Sequence, residues 1–327
     1  MASIQDVAEL AGVSVATVSR VINNANNVSP QSIQKVREAI NTLHYSPNWA
    51  SRNLRSKKSN MILIVIPEFS NPFWGDILEG MDQEAQRNHY KLIIATSHSN
   101  IDQERSALSL LKQQQADGAI LLSPVLSQSE LIGIDQKYPI IQCCEYTENS
   151  TLPHVSIDNY TATYEATEYL IRMGHQKIAM ISSTNHFVST TQRELGFNKA
   201  LSQYNISLPD RYLLRGNYSF SSGYEKTKQL LSSQVPPSAI VAISDTVAAG
   251  CLAAIDHSRL SCPKDVSVIG FDNIQLSTMV HPKLSTVSQP RNQLGVSAVQ
   301  MLLDRLNGNT DVQPTFLPHE LVIRQST

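Results

Sequence analysis

Long apolar runs are missing from this sequence. The longest, Met61–Ile66 (MILIVI), falls far short of the ~20 residues that a membrane-spanning helix needs. The first twenty residues hold no basic segment leading into an apolar one, so no export signal is expected. Cysteine is scarce: Cys143, Cys144, Cys251 and Cys262 show no CxxC spacing and suggest no disulfide framework. The expected compartment is the cytoplasm. Nucleotide-cofactor loops are absent as well, with no GxGxxG after the first strand and no GxxxxGK followed by Ser or Thr. No GxSxG elbow occurs, and the nine histidines are scattered without HxxxH or Cys/His ligand spacing. These absences leave no catalytic residue, metal or cofactor to expect, and an enzyme is not the reading.

What is present is an ordinary globular composition, 41% hydrophobic and 17% charged, in a chain of 327 residues that is long for one core. The charge is uneven. Residues 1–60 carry seven Lys/Arg against Asp6, Glu9 and Glu38, or +4, and the total of −2 leaves −6 for the remainder. A small basic head on an acidic body suggests that the head meets a polyanion.

The head reads as three short helices. Ser3-x-x-Asp6 is a capping-box start, after which Ile4, Val7, Ala8 and Ala11 recur at helical spacing. Gly12 suits a tight turn, Ser14 caps a second helix with Val18, Val21 and Ile22 inward, and Ser29-Pro30 opens a third lined by Ile33, Val36, Ile40 and Leu43. The second helix then exposes Val15, Ala16, Thr17, Ser19 and Arg20, side chains small, polar or basic enough to approach a major-groove floor. The same pattern would suit a helical bundle with a solvated face or a protein-binding module. Pro47 breaks the third helix, and the segment after it has helical spacing at Ala50 and Leu54 but too few residues to be stable alone. Read by itself, it is a flexible linker carrying Arg52, Arg55, Lys57 and Lys58.

DVAELAGVSVATVSRVIN and HYSPNWASRNLRS, followed in order by SNPFW, ADGAILLSP, SIDN, LIRMGH, GFDN, QPR and LVIRQST, resemble the LacI/GalR family of transcriptional repressors over essentially the whole chain. The resemblance implies a helix-turn-helix DNA-binding domain at 1–46, a hinge helix or linker at 47–60 and an effector-binding and dimerisation domain at 61–327. Val15 and Ala16 match positions that choose bases, and both can pack on thymine methyls; Arg20 supplies the polar readout. Thr17, Ser19 and Asn23 read as phosphate contacts that position the helix. Paired hinge segments of the family enter the minor groove, where Leu54 matches the side chain wedged between base steps and Arg52 lies beside it.

After Asn60 the pattern changes to short apolar strands (62–66, 92–96, 119–122, 140–143, 178–181, 240–243 and 266–271) separated by helical stretches such as 73–88, 160–173 and 191–204. Buried strands alternating with helices predict parallel sheets covered on both faces. The expected fold is therefore a small all-α head on an α/β body of two lobes. The resemblance likens those lobes to periplasmic binding proteins and implies three crossings between them, near Asn159, near 288–290 and around Pro318. The first lobe would comprise about 61–159 and 289–317, the second about 160–288 and 318–327.

Ligands in such sheets sit at the carboxyl ends of strands. The residues there are Ser70, Asn71, Phe73, Trp74, Ser123, Glu145, Ser189, Arg193, Tyr218, Phe220, Ser244, Asp245 and Asp272, with Asp245 also readable as a helix N-cap. Aromatics with charges of both signs suit a polar ring-shaped ligand such as a sugar or nucleoside. The resemblance implies that Arg193 and Asp272 grip the effector and that Phe73, Glu145 and Tyr218 stand where contacts vary with it. CCEYTENSTLPHVSIDN, GNYSF, GFDNIQL and STVSQPR are more similar to cytidine-responsive than to sugar-responsive members. Phe187 stands where purine-responsive members carry an arginine, which argues against a purine read in their manner. A nucleoside is the first expectation, a sugar or sugar phosphate the second. One recognition helix reads half a site, so a homodimer on a near-palindromic operator is expected. Family tetramers use a leucine-rich C-terminal extension, and without heptads the expectation stays at the dimer. A solute-binding protein with no DNA function is the competing reading.

Leu54→Ala should weaken operator binding strongly while leaving non-specific DNA binding nearly intact, as read by gel shift on both DNAs; equal losses on the two would contradict the wedge.

Overall fold

The computed structural model of the protein describes residues 2–22, 27–45, 58–148 and 150–327. Asn23, Arg52, Leu54 and nearly all of the expected hinge lie outside the described residues. The chain divides into two compact units, Met1–Ser59 and Asn60–Thr327. No helix among the described residues is long and apolar enough to cross a membrane.

The first unit holds α1 (Ile4–Ala11), α2 (Val15–Ile22) and α3 (Pro30–Thr42). Ser3 and Asp6 form the reciprocal capping box: the Asp6 amide donates to Ser3 Oγ at 3.3 Å and the Ser3 amide to Asp6 Oδ2 at 2.7 Å. Those hydrogen bonds hold the Asp6 carboxyl below its ordinary value. Gly12 ends α1 at φ 63°, a left-handed conformation that costs glycine nothing. Ser14 Oγ accepts from the Thr17 amide at 3.2 Å to start α2, and Ser29 caps α3 with Pro30 at its first position. Val7, Ala8, Ala11, Val18, Val21, Val36 and Ala39 form one small buried core.

The second unit contains two six-stranded sheets. The first is built from β1 (Met61–Ile66), β2 (Lys91–Thr96), β3 (Gly118–Leu121), β4 (Ile140–Cys143), β5 (His154–Ile157) and β11 (Thr315–Leu317), in the order β11-β5-β4-β3-β1-β2. The second is built from β6 (Ile178–Ser183), β7 (Leu213–Gly216), β8 (Ala239–Ala242), β9 (Ser267–Asp272), β10 (Ser285–Ser288) and β12 (Glu320–Val322), in the order β12-β10-β9-β8-β6-β7. Every pairing is parallel except β10 with β12. Helices cover both: α4 (Trp74–Arg87), α5 (Ile101–Lys112) and α6 (Gln128–Asp135) join the first sheet's strands, α7 (Asn159–Arg172) leads from β5 to β6 of the second, and α8 (Val188–Gln203), α9 (Phe220–Leu231), α10 (Asp245–His257) and the single turn α11 (Leu276–Met279) join the second sheet's strands. α12 (Arg291–Leu306) returns to pack on α4, β3 and β4. A Cβ on Gly295 would lie 2.0 Å from the Ile77 carbonyl oxygen, so glycine sets how closely α12 approaches α4.

The two-lobed α/β body with parallel sheets is the architecture the alternating pattern predicts. Five strands escaped that reading: β5 (HVSI), β7 (LLRG), β10 (STVS) and the three-residue β11 and β12. β10 is buried although three of its four residues are hydroxylic, because Thr286 Oγ1 donates to Asp245, Ser285 Oγ meets Thr327, and the Ser285 amide donates to Ser326 Oγ at 2.8 Å.

Candidate functional site

On the head, the residues expected to face DNA divide by exposure. Ala16 and Arg20, four apart on α2 and hence on one face, are exposed. Thr17 and Ser19 are half-exposed, and the Thr17 hydroxyl lies 2.9 Å from Ser14 Oγ within the helix cap. Val15, also expected on the exposed face, has the same intermediate exposure and packs against the head's core. The missing signal is positional. The first residue of a helix beside a tight turn lies over its neighbours as much as over solvent.

In the body, one cavity of about 450 Å³ opens where the carboxyl ends of both sheets meet. Phe73, Glu145, Arg193, Tyr218 and Asp272 all line it, brought there from the turn before α4, the end of β4, α8, the turn after β7 and the end of β9. Asn71, Trp74, Ser123 and Ser189, from the same end-of-strand set, line it too. Ser70, Phe220, Ser244 and Asp245 do not. Ser70 Oγ donates to Glu68 and Phe220 is exposed at the start of α9. Ser244, not Asp245, is the N-cap of α10, accepting from the Val247 amide at 3.3 Å. Asp245 is fully buried instead, accepting from the Ile274 amide and the Thr286 hydroxyl, and burial pushes its carboxyl well up. Glu68, Asn159, Asn185, Asn217 and Gln289 line the cavity without having been marked as contacts, and Phe187, noted for its place in the purine comparison, lines it too.

Arg193 organises the floor. Its Nε donates to Asn159 Oδ1 at 2.9 Å, its Nη1 to the Ile243 carbonyl at 2.6 Å, and its guanidinium lies 3.5 Å from the Phe271 ring centre. Asp272 Oδ1 is 3.9 Å from Nη2 and accepts from Gln289 Nε2 at 2.8 Å. Asp272 also sits at φ 110°, a backbone region that side chains rarely adopt and that tends to mark functional positions. Burial pushes its carboxyl up to about 6 against the opposing pull of Arg193, Gln289 and Arg291.

The walls face each other through two cross-cleft contacts. Glu145, at the end of β4, accepts from the Ser189 amide at 3.2 Å and from the Ser189 hydroxyl, and Gln192 Nε2 donates to Glu148 Oε1 at 3.0 Å. Burial raises the Glu145 carboxyl, an effect opposed by Ser189 and Arg193. The aromatic part comprises Phe73, edge-on to Trp74 at 4.9 Å, with Phe187 and Tyr218, whose hydroxyl lies 3.1 Å from Thr190 Oγ1.

Residues 3–48 match the family model "Bacterial regulatory proteins, lacI family", and residues 59–324 match "Periplasmic binding proteins and sugar binding domain of LacI family". The catabolite control protein A of Priestia megaterium is 34% identical over 99% of both chains. The HTH-type transcriptional repressor CytR of Escherichia coli (strain K12) is 33% identical over 100% of this chain and 96% of its own. Among solved structures, the lac repressor dimer bound to operator and the anti-inducer ONPF superposes with a TM-score of 0.91 at 28% identity, covering 100% of this chain and 99% of that one. Nearly equal identities to a catabolite regulator and to CytR leave the ligand's class to the chemistry of the cleft.

The Asp272 carboxyl generates a pH prediction. Its folded-state value lies above the ordinary 3.8, so the folded protein holds this proton better than the unfolded chain does. That contribution is complete below 3.8 and is lost as pH rises through about 6, a change of about 3 kcal/mol. Asp272→Asn should therefore gain stability relative to the wild type across this window in urea melts; a stability difference that is the same at both ends would contradict the assignment.

Proposed function

The chain belongs to the LacI family of bacterial regulatory proteins, as a ligand-responsive DNA-binding transcriptional regulator rather than an enzyme, and on that premise we propose that it is a cytoplasmic homodimeric repressor whose grip on operator DNA is set by a nucleoside-like metabolite in the cleft. Residues 1–46 are the DNA-reading head, 47–60 the hinge and 61–327 the sensing body. On the head, Ala16 and Val15 pack on base methyls, Arg20 reads a base edge, and Thr17, Ser19 and Asn23 hold phosphates. Arg52 and Leu54 act in the minor groove.

The observation that carries the effector assignment is the convergence of Phe73, Glu145, Arg193, Tyr218 and Asp272 on one cavity of about 450 Å³. That volume falls within the roughly 300–1,000 Å³ typical of small-molecule sites. Aromatic faces suit a flat base, and the carboxyls and amides beside them suit hydroxyl and amino donors. The dimer and its operator are carried over from the lac repressor dimer on operator DNA, whose fold this chain shares.

A gel shift of the protein's own promoter DNA should show binding that weakens steeply with salt, with a log–log slope of about −0.9 for each phosphate neutralised. Cytidine or another nucleoside should move the midpoint, and Arg193→Ala should abolish that movement. Absence of any shift at low salt would instead favour a solute-binding protein without DNA function.

A further inference from the structure

We propose that Glu145 makes the cleft reject phosphate monoesters, because its carboxylate already occupies the position that an incoming phosphate would need. The inference rests on the cleft being the effector site and narrows the class of effector it takes.

Helix α8 begins at the cleft with no side-chain cap of its own. Its N-cap is Phe187, which offers no side-chain cap, and its first turn holds no acidic residue. The free amides and positive end of such a helix form a natural anion site. Here the anion comes from the opposite wall: both oxygens of Glu145 bind Ser189, one at its amide and the other at its hydroxyl. A carboxylate seated this way is a built-in counterpart of the phosphate that helix starts commonly hold.

The remaining charges close the alternative positions. Among the described residues lining the cavity, Arg193 is the single cation, against Glu68, Glu145 and Asp272. Its Nε and Nη1 are committed to Asn159 and the Ile243 carbonyl and its face to Phe271, while its Nη2 stands 3.9 Å from the Asp272 carboxyl, which already balances its charge. A phosphate dianion would therefore either displace Glu145 and strand a half-buried carboxylate, or lie against carboxyls with no spare cation. Hydroxyl and amino groups meet the reverse situation, since every one of those carboxyls accepts hydrogen bonds. The cleft is thus built for an uncharged, donor-rich ring compound: a nucleoside over its nucleotide, and a free sugar over its phosphate ester. The sugar phosphate left open by the sequence drops out.

The test uses the full chain as wild type, Glu145→Ala and Glu145→Gln, with inorganic phosphate as the bare probe and sodium chloride at matched ionic strength as its control. Thermal melting should show no saturable effect of phosphate on the wild type, a clear one on Glu145→Ala, and a smaller one on Glu145→Gln, whose amide still fills the position without charge. Calorimetry would then compare cytidine, adenosine and ribose with their 5′-phosphates. The wild type should favour the unphosphorylated member of a binding pair by about tenfold or more, and that preference should shrink by a similar factor in the variants. Saturable phosphate binding by the wild type, a monoester bound as tightly as its parent, or a folded variant that gains no phosphate affinity would each overturn the proposal. If Glu145→Ala does not fold, Glu145→Gln decides it. Nucleosides and ribose that leave all three proteins unmoved, while phosphate still separates wild type from variants, would remove the effector reading and keep this one.

Discussion

Three short passages of chain between two predominantly parallel sheets constrain everything else in the body. They run from β5 to α7, from β10 to α12 and from β11 to β12. β11 lies beside β5, with Leu317 opposite Ile157, and β12 lies beside β10, with Glu320 opposite Ser288, so the passages are neighbours in space. Adjacent strands joining two rigid layers permit opening and closing about one line and resist sliding. Two residues at these passages are also part of the cleft: Asn159 accepts from Arg193, and Gln289 donates to Asp272. A third tie, Arg291, bonds Asp76 of α4 and the Asn273 carbonyl that follows β9. Whatever a ligand does to Arg193 and Asp272 is therefore felt directly where the lobes hinge, and its contacts with both walls bias the hinge only to the extent that they differ between open and closed forms.

The electrostatics of the cleft follow from the same geometry. One guanidinium and two carboxyls, Arg193 with Asp272 and Glu145, have been drawn out of water at the mouths of two sheets, and each is held by partners from a different element. The left-handed backbone at Asp272 and the raised carboxyls of Asp272 and Glu145 are the cost of that convergence. A site that needed only stability would replace them with apolar groups, so their retention fits recognition of a polar ligand.

Much of this was legible in the amino acids. Helix caps at Ser3, Ser14 and Ser29 sit at the starts of the head helices, because capping is decided within one turn of chain. The central strands were visible because parallel strands buried on both faces must be apolar, as in MILIVI. What escaped is consistent. β5, β7 and β10 carry hydroxyl, histidine or arginine side chains that hide the apolar signature of a strand: His154 stacks on Tyr146, Arg215 reaches solvent, and Thr286 is accommodated through a distant partner, Asp245. Asn159 and Gln289, which follow β5 and β10 into the cleft, were read only as the neighbourhood of crossings between the lobes and not as lining residues. Asp245 was misplaced for a related reason: an acidic residue at the start of a helix looks like a cap until Ser244 is found doing that work and Thr286 is found waiting for the carboxyl.

The central claim is that the cleft and the DNA-reading head are energetically linked. Linkage is reciprocal, so the factor by which a cleft ligand changes operator affinity must equal the factor by which operator changes ligand affinity. The most direct measurement is a calorimetric titration of a cleft-binding nucleoside into the protein alone and into the protein saturated with operator, beside operator titrations with and without that nucleoside. The account predicts two equal, non-unit factors. A nucleoside bound equally well with and without operator would contradict it.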